Sequence, residues 1–121
     1  MPMELGLFLG CKRYGNSRQR SKVALIFDSD PYRYQIFMSD IAGQDIHSHG
    51  NDVRRAIQEL RAWLVTASKR TELPGGRDIH NRYERFQTEF PGLCAEARLE
   101  PAEVTFTDLR DLIAHWLKGA R

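Results

Sequence analysis

With 121 residues, 41% hydrophobic and 28% charged, the chain has the size and balance of a single water-soluble domain with one core. A net charge of +2 excludes a broad electrostatic pull toward nucleic acid or membrane, and no apolar run approaches the length of a membrane span or a leader. The two isolated cysteines, Cys11 and Cys94, lack the paired spacing of a structural zinc site, so a reducing cytoplasm is the expected compartment.

The pattern predicts a helix over residues 3–11, with Leu5, Phe8 and Leu9 on one side. Gly6 and Gly10, four apart, each cost helix propensity of about 1 kcal/mol relative to alanine, which points to close packing on that helix. Glu4 reads either as a charge favourable at a helix N-terminus or as a carboxylate acting on a ribosyl centre. Tyr14-Gly15-Asn16-Ser17 is a turn. The basic run Lys12, Arg13, Arg18, Arg20 and Lys22 is expected as a solvated loop, with contact to phosphates as the sharper alternative. Cys11 has cations beside it that would favour its thiolate, but a cysteine on an apolar helix is more often buried filler.

Residues 22–28 form the clearest predicted strand, apolar on both faces, as in a parallel sheet covered on both sides. Asp28-Ser29-Asp30-Pro31 ends it, and Tyr32 through Phe37 continues as a turn or short helix. At the carboxyl edge of a parallel sheet, Asp28, Ser29, Asp30, Tyr32, Arg33 and Tyr34 would reach a ribose or stack on a base. The same residues also make an ordinary capping turn. A short second strand is expected within 40–46, ending near Ile46. Asp45, His47 and His49 have the types of a facial metal site, but no further ligand is supplied, so none is assigned.

Three amphipathic helices complete the chain. Asn51 or Asp52 caps the first, with Val53, Ala56, Ile57, Leu60 and Leu64 at helical spacing. The second carries Ile79, Tyr83, Phe86, Phe90, Leu93, Cys94 and Ala97, and Pro91 is expected to kink or divide it. Thr105 or Thr107 starts the third, with Leu109, Leu112, Ile113, Trp116 and Leu117 inward and Gly119 just past its end. The whole is an α/β arrangement, one domain over 1–121 with a sheet-forming part (1–49) and a helical part (50–121). So few strands make a marginal sheet, so the missing ones are expected upstream of Met1 or from a partner.

Glu4-Leu5-Gly6-Leu7-Phe8-Leu9-Gly10, followed by a basic loop and the strand ending at Asp28, resembles TIR-like and nucleoside 2-deoxyribosyltransferase-like proteins. In that flavodoxin-like fold a helix glutamate acts on an N-glycosidic bond. Gly10-Cys11-Lys12-Arg13-Tyr14-Gly15, Tyr32-Arg33-Tyr34-Gln35 and Asp40-Ile41-Ala42-Gly43-Gln44-Asp45-Ile46 also resemble an uncharacterised group of bacterial proteins with additional sequence before the equivalent of Met1. The resemblance implies a partial flavodoxin-like sheet, Glu4 as the catalytic carboxylate, and nucleotide contacts from Asp28, Asp30, Tyr32 and Arg13. NAD or a nucleoside is the implied substrate, with no bound cofactor, in a bacterial defence or signalling system. The early strands that supply the family's nucleotide-binding loops have no counterpart here, so cleavage is expected only of a complete version. The alternative is a non-enzymatic interaction module, a homodimer or other homo-oligomer joined through an open sheet edge and amphipathic helices. Nucleic-acid binding is disfavoured by the near-neutral charge.

Overall fold

A computed structural model describes residues 2–31, 33 and 45–119. The protein is mixed α/β, with five helices and a two-stranded parallel sheet among the described residues, and it divides into two compact units, Met1–Gly76 and Arg77–Arg121.

In the first unit, helix α1 spans Pro2–Tyr14 and packs on the short helix α2, Ser17–Arg20. The turn between them demands Gly15. Its N–H donates to the Cys11 carbonyl at 2.8 Å, and a Cβ there would collide with that same carbonyl and with Gln19. Asn16 caps α2 by accepting from the Gln19 N–H at 3.1 Å. The basic stretch is therefore largely helical rather than a loop, and Lys12 and Arg13 sit in the last turn of α1, where cations oppose the negative end of the helix dipole.

Leu5, Phe8 and Leu9 are half-buried, as the spacing predicts, but Met3, Leu7 and Tyr14 are exposed. Gly6 and Gly10 belong to this open side. Nothing lies within 4 Å of a Cβ built on either, so the expected close packing is not seen among the described residues. Cys11, expected as buried filler, is exposed on the same helix.

Strand β1, Leu25–Asp28, pairs in parallel with β2, Asp45–Ser48, in the register Leu25 to Asp45, Ile26 to Ile46, Phe27 to His47 and Asp28 to Ser48. The first strand is shorter than the apolar run suggested. The second extends past Ile46 to take in His47 and Ser48, because its ladder follows the full length of β1. The expected helical turn at 32–37 and the start of the second strand at 40–44 lie outside the described residues, except Arg33.

Helix α3, Val53–Ser68, starts at Asp52, whose Oδ1 accepts from the Arg55 N–H at 2.7 Å. Arg61 ties the following connection back to the helix, donating to the carbonyls of Pro74 (2.6 Å) and Leu73 (3.3 Å). Ala56 and Ile57 are half-buried, whereas Val53, Leu60 and Leu64 from the same apolar stripe are exposed. No described residue of the first unit is fully buried.

The second unit holds the core: Phe86, Cys94, Leu112 and Trp116. Helix α4 runs unbroken over Gly76–Glu96 with Pro91 inside it, so the proline does not divide it. Proline removes one backbone hydrogen bond, but Phe86 and Cys94, one on each side of it, are both in the core. Arg98 takes the left-handed conformation (φ 59°) and lets the Leu99 N–H reach the Cys94 carbonyl at 2.9 Å, closing the helix end. Helix α5, Phe106–Gly119, includes Gly119 as its last residue and is capped by Thr105. Thr105 Oγ1 accepts from the Asp108 N–H (3.3 Å), and Asp108 accepts from the Thr105 N–H (3.0 Å), a reciprocal box. Leu112 and Trp116 point inward as expected, but Ile113 and Leu117 are exposed.

Two carboxylates in this unit are held below their ordinary range. Arg85 and the Trp116 indole hydrogen-bond Glu89, and Thr105 hydrogen-bonds Asp108. A depressed folded value contributes stability above the unfolded value, and that stability is lost as pH falls through the folded one. The melting temperature of the α4–α5 unit is therefore expected to be level at neutral pH and to fall once pH drops below the ordinary glutamate value of 4.5. Circular dichroism melts from pH 7 to 3 check this; a curve flat to pH 3 would count against the two carboxylate contacts.

Candidate functional site at the carboxyl edge of the parallel pair

The register brings the carboxyl ends of β1 and β2 level, and the ladder continues beyond them. His49 N–H donates to the Asp28 carbonyl (2.9 Å) and Gly50 N–H to the Ser29 carbonyl (2.8 Å). Gly50 (φ 58°) and Asn51 (φ 57°) then turn the chain through the left-handed region into α3, a conformation open to glycine and tolerated by asparagine.

On β1, the Asp28 carboxylate faces Arg33 in a two-pronged contact: Nε to Oδ2 at 3.1 Å and Nη2 to Oδ1 at 2.6 Å. It also accepts from the Ser29 N–H at 2.7 Å. Arg33 is the main cause of an Asp28 carboxyl held below its ordinary range; desolvation opposes it, and the Ser29 bonds add to it. Ser29 Oγ bridges toward Asp30 Oδ2 at 3.3 Å, and Arg33 Nη1 lies 4.0 Å from the same oxygen. The edge is thus a compact cluster of one cation and two carboxylates, with acceptor lone pairs suited to vicinal hydroxyls.

On β2, His47 Nδ1 lies 2.6 Å from Glu59 Oε2 of α3. Both side chains are about a third exposed, at 36% and 34%. Arg55 Nη2 donates to Ser48 Oγ at 3.1 Å. The ring of His49 packs on Phe27, with centroids 4.9 Å apart and planes tilted by 60°, and its Nδ1 accepts from the Asn51 N–H at 3.2 Å. The two imidazoles therefore have different partners. Among the described residues, no group of three His, Cys, Asp or Glu side chains is placed to hold a metal ion.

Of the site residues read from the sequence, Asp28 and Asp30 meet through Ser29 and Arg33. Glu4 and Arg13 stand on α1, exposed in its first and last turns and separated along the axis by about 14 Å. Arg13 lies over the Tyr14 ring at 5.7 Å. Tyr32 lies outside the described residues. Arg55 and Glu59 were not among the predicted residues, although a signal existed. Once Asp52 fixes the start of α3, positions 55 and 59 fall on one face, in the first turns after β2.

No protein-family model matches this chain, and no curated protein and no solved structure shows significant similarity to it.

Proposed function

We propose that the first unit is a partial flavodoxin-like layer that handles a nucleotide or nucleoside at the carboxyl edge of its parallel pair. The observation that carries this reading is the convergence of Asp28, Ser29, Asp30 and Arg33 with Ser48 and Arg55 at the level ends of two parallel strands. That edge is where ligands bind in open parallel sheets. Asp28 and Asp30 accept ribose hydroxyls in this reading, while Arg33, Arg55 and the basic side chain of Arg13 serve phosphate. In the completed site Glu4 supports cleavage of the N-glycosidic bond of NAD or a nucleoside by stabilising the oxocarbenium-like centre.

Titrating NAD or adenosine into the labelled full chain, followed by amide shifts, tests it. Shifts at 28–30 and 48–51 are expected, with affinity weakened about tenfold by Asp28→Asn, the loss of one charge-assisted contact. Absence of binding by nucleotides and nucleosides alike would sink this reading.

A second reading is favoured by a separate observation: no described residue of the first unit is buried, although it carries a parallel pair and the exposed apolar faces of α1 and α3. Two strands alone are marginal, and parallel sheets are normally covered on both sides. In this reading the unit is an interaction module, completed by strand addition from a second copy and by helix contacts. Sedimentation equilibrium at low micromolar concentration decides it. A dimer of the 14.0 kDa chain supports the module, and a monomer refutes self-association.

A further inference from the structure

We infer that His47 and His49 form a matched acceptor–donor pair that recognises the planar amide or amidine edge of a ligand, the carboxamide of a nicotinamide or the amino-pyrimidine edge of an adenine. This inference rests on the nucleotide reading above and names what that site reads.

The argument is one of tautomers. The Glu59 carboxylate is acceptor-only when ionised, so the His47 nitrogen 2.6 Å from it, Nδ1, carries the proton. In the neutral ring this leaves His47 Nε2 as a bare acceptor. His49 is held the other way. Its Nδ1 accepts from the Asn51 N–H at 3.2 Å, so the neutral ring carries its proton on Nε2, a donor. Two histidines two positions apart are thus fixed by their neighbours in opposite tautomers.

They also share a face. The ladder bond from His49 N–H to the Asp28 carbonyl keeps the backbone paired through residue 49, and alternate residues of an extended chain project to one side. Phe27, the register partner of His47, lies on that side too and packs on the His49 ring at 4.9 Å. Beside an aromatic ring, this face therefore offers one acceptor and one donor. Its complement is a flat group with an N–H donor beside an acceptor. A carboxamide has that pattern in its NH2 and C=O, and adenine has it in N6–H2 and N1. A carboxylate has only acceptors and would meet the bare His47 Nε2 unfavourably.

Long-range proton–nitrogen spectra of the 15N-labelled full chain test the tautomers directly. In the neutral rings, His47 is expected protonated at Nδ1 and His49 at Nε2. The same tautomer in both rings would overturn the inference and leave the nucleotide reading intact. Titration with nicotinamide mononucleotide, nicotinic acid mononucleotide and adenosine monophosphate then separates the sources. Both Nε2 signals should move with the nicotinamide or the adenine form, whichever is the ligand, and the nicotinic acid form should bind at least about tenfold more weakly than the nicotinamide form if the carboxamide is read. Shifts with adenosine monophosphate alone would assign the adenine edge. Nucleotide binding that leaves both Nε2 signals in place would overturn the inference alone, and absence of any nucleotide binding would overturn both readings.

Discussion

Replacing Trp116 with alanine is expected to unfold the α4–α5 unit. The indole is one of only four buried side chains among the described residues. It meets Phe86 edge-on at 5.4 Å, and its Nε1 donates to Glu89 Oε2 at 2.6 Å. Arg82 and Arg85 lie over the ring at 6.0 and 5.9 Å. Truncating a buried tryptophan costs about 3–5 kcal/mol. Domains carry roughly 0.05–0.15 kcal/mol of stability per residue, so that loss is comparable to the whole stability of a unit this short. Trp116→Phe keeps the ring against Phe86 and loses the indole hydrogen bond, so its cost should be smaller, about 1–2 kcal/mol. Urea titrations read by circular dichroism compare the variants. A Trp116→Ala chain with unchanged helicity and midpoint would overturn the assignment of this core.

Glu4→Gln is expected to lower any N-glycosidic cleavage of NAD or a nucleoside by at least about 100-fold, the cost of removing one electrostatic stabiliser of a developing charge. The substitution keeps the shape of the side chain and removes its charge, which is what an oxocarbenium-like centre would feel. Glu4 is exposed in the first turn of α1, so the melting curve should hardly move. Product release measured for the unaltered and substituted forms of a complete version, one that also carries the nucleotide-binding loops, separates the outcomes. Equal turnover would remove Glu4 from the chemistry. No turnover in either, with dimerisation in the ultracentrifuge, would favour the interaction module.

Parts of the candidate edge were legible in the sequence for local reasons. An apolar run ended by Asp-Ser-Asp-Pro places a strand terminus at Asp28, and the polar cluster around His47 and His49 is conspicuous. The pairing of His47 with Glu59 was not legible, because it depends on how far β2 extends and on which turn of α3 comes over it. The glycines of α1 show the opposite case. Their spacing suggested close packing, and the structure leaves Gly6 and Gly10 on an open side with Met3, Leu7 and Tyr14.

By itself, the sequence determined the three later helices and narrowed the starts of the first and third to Asn51 or Asp52 and to Thr105 or Thr107, since capping and apolar spacing act within a few residues; Asp52 and Thr105 are the caps observed. It also determined the strand ending at Asp28, through a run apolar on both faces. Tertiary structure alone decided the parallel register, the pairing of His47 with Glu59, and which apolar positions are covered. Leu112 and Trp116 are buried while Leu60 and Leu64 are not, although both pairs repeat at helical spacing. Periodicity fixes which face of a helix is apolar, but burial requires a second surface against that face, and only the assembled chain supplies one.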